Sequence, residues 1–210
     1  MKYQSFKYLF PPRPESAISP DTLSFYENRG WVSQFKKNGT NTIIAISPEK
    51  EFIAMNRHKE MHKAWNLTDY IKTELIKLFP DTGWVVLVAE IMHSKTKTIK
   101  DTIFVHDLLV FESEFLLDST FTDRQKILDE RLKTNVEMET HYVCDKENKI
   151  WFAKLFSSDF EKLFWDIEDP TIDEGLVIKN PQGKLKDCNK PTSNASWQVK
   201  CRHTCKKYNF

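Results

Sequence analysis

Two lysines stand side by side in the stretch QFKKNGTN, residues 34–41, directly after an apolar segment led by Trp31. A neutral lysine amine is a nucleophile. Taken alone, a lysine beside an Asn-Gly dipeptide reads as a solvated charge at a hairpin. Side-chain alternation along a strand would send Lys36 and Lys37 to opposite faces, so only one of them can point into a pocket. Downstream lie LVAEI, IFVHDLLVF, EGLVIK and WQVKCR. Singly, EGLVIK is an edge strand with a surface salt bridge and WQVKCR a half-buried strand. From Lys179 onward, Lys179, Lys184, Lys186, Lys190, Lys200, Arg202, Lys206 and Lys207 meet the single acid Asp187, a candidate phosphate-binding strip. CRHTC places His203 between Cys201 and Cys205, but Cys144 and Cys188 form no second close pair, so reduced thiols are expected and not a zinc site.

The elements that must position these residues can be read from pattern. A chain of 210 residues, 40% hydrophobic and 13% aromatic, predicts one compact domain. Its 31 Lys and Arg nearly cancel 30 Asp and Glu, so a polyanion must be held by a local basic surface. There is neither an apolar signal core at the N-terminus nor an apolar run long enough for a bilayer, which predicts a cytoplasmic protein with no membrane partner. Residues 1–30, rich in proline, read as an extended lead-in, with the fold proper starting near Trp31. Residues 31–36 and 41–47 read as a hairpin about Asn38-Gly39, and EFIAMN as a third strand. LTDYIKTELIKLF is a helix capped by Thr68, TDRQKILDERL a helix capped by Thr122, and SSDFEKLFWDIE a helix capped by Ser157 or Ser158. WVVLVAEIM, TIFVHDLLVF, METHYV, KIWFAKLF, EGLVIKN and WQVKCR supply further strands. Runs of strands broken by three helices predict an α+β fold with mainly antiparallel sheets.

In order and spacing, these pieces together resemble the covalent nucleotidyltransferase superfamily, the ATP-dependent DNA and RNA ligases and the related mRNA capping enzymes, over about residues 31–208. The leading motif of that family is lysine, any residue, Asp or a substitute, then Gly, matched here by Lys36-Lys37-Asn38-Gly39. The resemblance makes Lys36 the nucleophile and implies a nucleotidyltransferase (ATP-grasp-like) ligase adenylation fold over residues 31–210. It also implies ATP with Mg²⁺ or Mn²⁺, and a lysyl-AMP formed with release of pyrophosphate. Attack needs the neutral amine, which neighbouring Lys200 and Arg202 and a bound Mg²⁺ favour. Arg57 in NRHKE matches the basic residue that contacts ribose or phosphate. Glu90 matches the third-motif carboxylate, preceded by Ala89 where the family has Gly, and Glu174 the fourth, a natural oxygen ligand for Mg²⁺. His106, before Asp107, takes the place of the aromatic that stacks on the base. Lys179 ends EGLVIK, and Lys200 and Arg202 match the last lysine-any-lysine motif, with an arginine fork suited to phosphate.

The resemblance implies catalytic roles for Lys36, Glu174 and Lys200, metal binding by Glu90 and Glu174, and nucleotide contacts that also include Asn38, Gly39, Asn41, Arg57, His106, Lys179 and Arg202. Asn41 resembles RNA ligases of the phage repair type, whereas a strand followed by a helix bearing Arg124 resembles DNA ligases. The implied partner is RNA or DNA with 5′-phosphate and 3′-hydroxyl ends. Ten residues after Lys200 leave no room for the oligonucleotide-binding barrel of the larger members. The expectation is a minimal ligase, a domain of a longer protein, or a barrel supplied by a separate partner. Guanylyl transfer for RNA capping, and nucleotide or nucleic-acid binding without catalysis, are the other two readings.

Overall fold

The computed structural model describes residues 2–80, 83–132, 136–139, 141–187 and 194–203. In chain order these form β1 (Pro14–Ala17), α1 (Leu23–Glu27), β2 (Val32–Lys37), β3 (Thr40–Ile46), β4 (Phe52–Asn56) and α2 (Asp69–Leu78). There follow β5 (Val85–Met92), β6 (Thr102–Phe111), β7 (Glu114–Phe115), α3 (Phe121–Arg131), β8 (Val136–Met138) and β9 (Tyr142–Asp145). The last are β10 (Ile150–Ala153), α4 (Phe160–Trp165), β11 (Asp173–Lys179) and β12 (Ala195–Arg202). They build two sheets. The larger runs β4-β3-β5-β6-β10-β9-β8 with β7 on β6, the smaller β1-β12-β11-β2. Only β1–β12 and β6–β10 pair in parallel among the described strands. The fold is α+β with mainly antiparallel sheets, as the pattern predicted.

Alternation in the smaller sheet separates a core face from a polar face. Phe35, Leu176, Ile178, Val199 and Cys201 pack with Leu23 of α1 and Phe160 and Phe164 of α4. Their strand neighbours Gln34, Lys36, Val177, Lys179, Gln198 and Lys200 turn the other way, toward the larger sheet. The larger sheet buries Ile43, Val86, Val88, Ile103 and Val105 with Ile71 and Leu75 of α2 and Phe121 and Leu128 of α3. α3 is tied to β6 through a buried fork, with Arg124 Nε 2.8 Å and Nη2 3.1 Å from the two oxygens of Asp107.

Four expectations need correction. Asn38-Gly39 does not close a hairpin: β2 pairs with β11, and β3 with β4 and β5. Neither residue has positive φ, and Asn38 is held by its backbone N–H on Ile172 O (2.8 Å) and its amide on Thr171 O (2.9 Å). Here the chain steps from one sheet to the other. Gly39 is needed for close approach, because a Cβ there would fall 2.8 Å from Glu90 Cβ and 2.9 Å from Ile91 O. Second, residues 2–30 are not a detached lead-in: Tyr3 is buried in the main core and β1 adds a strand to β12. The prolines leave room for that edge strand, a position where a missing N–H is tolerated. Third, α3 is capped by Thr120, whose hydroxyl and the Asp123 carboxylate form a reciprocal box, and not by Thr122. Fourth, α4 begins at Asp159 in a left-handed conformation without a side-chain cap, in place of Ser157 or Ser158. Thr68 does cap α2.

Candidate active site

Lys36 and Lys37 part company at the end of β2. Lys37 is buried, 2.7 Å from Asp173, with its ammonium 5.0–5.6 Å from the ring centres of Phe104, Tyr142 and Trp151. Desolvation lowers the Lys37 pKa, opposed by Asp173. Lys36 points into a cleft of about 440 Å³ between the two sheets, and its Nζ lies 2.6 Å from Glu174 Oε2. Glu174 gets there by a bulge: Asp173 pairs with Lys37 and Gly175 with Lys36, leaving Glu174 as the extra residue turned toward Lys36. Gly175, at φ +149°, permits this because a Cβ would come 2.0 Å from Cys201 O on β12.

The larger sheet supplies the opposite wall. Asn41 from β3, Glu90 from β5, and Phe104 and His106 from β6 line the cleft, with Arg57 beyond β4 at its rim. Asn41 donates to Glu90 at 3.5 Å. Desolvation pushes the Glu90 carboxyl up to about 7 against the pull of Lys36 and Lys95, while Glu174 adds to the rise. Burial, then Lys179, lowers His106 to about 3, which keeps its imidazole neutral at ordinary pH. Lys179 donates to Gln34 Oε1 at 2.6 Å, and Gln34 in turn donates to Gln125 at 3.1 Å. Desolvation brings Lys179 down to about 8. Burial, then Arg202 and Lys36, also lowers Lys200.

Of the residues expected from sequence, Lys36, Asn41, Arg57, Glu90, His106, Lys179 and Lys200 converge on this one cleft. Glu174 joins them through Lys36. Asn38 and Gly39 lie beside the cleft and hold its geometry, Gly39 against Glu90. Arg202 is exposed at the Lys36 end of the same strand face. The sequence reading missed Gln34, Val177 and Gln198, each two residues from a residue it named and so on the same face. It also missed Pro11–Glu15, which border the cleft from the N-terminal segment. Among the described residues the C-terminal cations do not form one strip: Lys179 and Lys200 turn into the cleft, and Lys186 lies 3.6 Å from Asp118. Lys190, Lys206 and Lys207, like Cys188 and Cys205, lie outside the described residues. Cys144 and Cys201 are buried, and His203 donates to Phe164 O at 2.9 Å while stacking on that ring.

Among solved structures, the ligase domain of M. tuberculosis LigD superposes with a TM-score of 0.64 at 15% identity, over 94% of this chain and 61% of that one. An archaeal ATP-dependent RNA ligase superposes at 0.51 with 16% identity, over 96% of this chain and 51% of that one. The chain has the fold of an ATP-dependent ligase adenylation domain. A curated relative, DNA ligase 2 of Korarchaeum cryptofilum (strain OPF8), is 30% identical over 120 residues, 52% of this chain and 18% of that protein. No protein-family model matches the chain.

In this adenylation-domain fold the cleft is electrostatically graded. Lys36, Lys200 and Arg202 gather cations at one end beside the carboxylates of Glu90 and Glu174. His106 and Val177 occupy the cleft farther along, with Lys179 and Gln34 bonded to each other. Among the described residues, no three His, Cys, Asp or Glu side chains form a metal cage, and no helix is long and apolar enough to cross a membrane.

Proposed function

We propose that the chain carries out the adenylyl-transfer chemistry of an ATP-dependent polynucleotide ligase. The observation that carries this is the Lys36 amine, directed into a nucleotide-sized cleft and held 2.6 Å from Glu174. In the first step Lys36 Nζ attacks the α-phosphorus of ATP, an N–P bond forms, and the bond to pyrophosphate breaks. The amine must shed a proton first, and Glu174 Oε2 is within reach to accept it. Lys200 and Arg202 receive the charge that grows on the phosphate oxygens. In the second step a 5′-phosphate oxygen attacks the lysyl-AMP and returns the amine. In the third, a 3′-hydroxyl attacks the adenylylated 5′-phosphate and AMP leaves.

Glu90 and Glu174 fit a divalent cation such as Mg²⁺ or Mn²⁺. Both are oxygen donors near the same amine, and two carboxylates without a full cage suit an ion that keeps waters and binds substrate phosphate. When bound, that ion would neutralise charge on the phosphates. His106 and Val177 offer an aromatic and an aliphatic surface to the base, and Asn41 and Arg57 are within the same cleft for ribose or phosphate.

Nucleic acid with a 5′-phosphate and an adjacent 3′-hydroxyl is the substrate we assign, with RNA-containing ends preferred on the strength of Asn41. Nicked duplexes, all-DNA and RNA-containing, should be converted to sealed strands in low salt with ATP and Mg²⁺. RNA-containing nicks should seal faster, and the activity should fall steeply as salt rises. Label transfer from GTP alone to a 5′-diphosphate end would instead identify RNA capping.

A further inference from the structure

The register of the smaller sheet sets a scale along the cleft. Lys36 stands level with Gly175 and Arg202, Gln34 with Val177 and Lys200, and Val32 with Lys179 and Gln198. Successive rows on one face are two residues apart, so Gln198 lies about 13 Å along the strands from the Lys36 row. A nucleotide joined through phosphorus to Lys36 and laid along this face would keep its phosphate by the Arg202 and Lys200 side chains, pass its base over Val177 and turn the far edge of that base toward the Gln198 row.

Most polar groups at that far end are already satisfied. Lys179 donates to Gln34 Oε1 at 2.6 Å and to His106 O at 3.5 Å, and the Gln34 amide donates to Gln125. Gln198 differs. It lines the cleft and is only 3% exposed, yet its Nε2 has no hydrogen-bond partner. Among the described residues, no other residue with such a group lines the cleft. A buried donor without an acceptor is costly, and a ligand that supplies one recovers that cost on binding.

We propose that Gln198 is a specificity-determining residue whose carboxamide reads the edge of the adenine ring of the bound nucleotide. This rests on the adenylyl-transfer reading above. A carboxamide matches adenine because its N–H donates to a ring nitrogen while its carbonyl accepts from the neighbouring exocyclic amine. A carboxylate at the same place has two acceptors. It would oppose the adenine ring nitrogen and accept from the paired N–H groups of guanine.

The test is the nucleotide dependence of covalent labelling, measured with ATP and GTP on the wild type, Gln198→Met and Gln198→Glu, with thermal melts of all three. Gln198→Met keeps the side-chain length and removes the polar atoms. It should raise the KM for ATP about tenfold with little change in kcat. Gln198→Glu should move the ATP-to-GTP preference toward GTP by a similar factor, a change that a packing role would not produce. Should Gln198→Glu fold poorly, Gln198→Met alone carries the test through its split of KM from kcat. If wild type is labelled by ATP and both folded variants keep its KM and preference, the assignment of Gln198 is overturned while the adenylyl-transfer reading stands. If wild type is labelled by neither nucleotide, both are overturned.

Discussion

Arg124→Met is expected to destabilise the protein by about 3–5 kcal/mol, enough to leave much of it unfolded at 37 °C. Arg124 and Asp107 are both fully buried, and Arg124 also donates from Nη1 to Ser119 O at 2.8 Å and Gly183 O at 3.3 Å. Removing the guanidinium strands the Asp107 charge beneath α3. The double variant Arg124→Met with Asp107→Leu should recover part of the loss, because the stranded carboxylate is gone, while the Lys179 ammonium keeps its acceptors Gln34 Oε1 and His106 O. Chemical denaturation of the three proteins measures this, and equal stability of wild type and Arg124→Met would show the pair to be unimportant.

The same pair gives a pH signature. Burial raises the Asp107 carboxyl, but Arg124, together with Lys179 and the Leu108 N–H, outweighs it and holds the folded pKa below the ordinary 3.8. A depressed carboxyl contributes stability above the unfolded value. That contribution is lost as pH falls from about 3.8 through the folded pKa.

The second large effect is chemical. Lys36→Ala should abolish covalent labelling by ATP, and Lys36→Arg should do the same, since a guanidinium stays protonated and cannot attack. Lys37→Met should keep labelling at a temperature where it is folded, and pay instead in stability, because Asp173 loses the buried ammonium 2.7 Å away. Labelling gels beside melting curves separate the two lysines. Loss of labelling in folded Lys37→Met with retention in Lys36→Ala would reverse the assignment.

That Lys36 and Lys37 turn their amines to different partners, Glu174 and Asp173, was legible because side chains alternate along a strand. Glu90, Glu174 and Lys200 could be named from short matches, but no sequence rule showed the bulge that turns Glu174 onto Lys36. The Asn38-Gly39 hairpin failed for the opposite reason. The dipeptide is a strong local turn signal, whereas pairing of β2 with β11 depends on residues far along the chain. The N-terminal residues were misjudged because prolines mask an edge strand, and the burial of Tyr3 is a tertiary contact. Gln34, Val177 and Gln198 were within reach of period-two counting from Lys36, Lys179 and Lys200. Nothing in the sequence distinguished a face lined by glutamines from an ordinary polar strand face.

The most direct measurement is to incubate the wild-type protein with ATP and Mg²⁺, digest it, and locate any AMP adduct by peptide mass mapping. One AMP joined to the peptide containing Lys36-Lys37, fragmented to place it on Lys36 and labile to acid but stable to alkali as a phosphoramidate is, is the predicted result. An adduct on Lys37 or elsewhere, or an unmodified protein after full incubation, would contradict it.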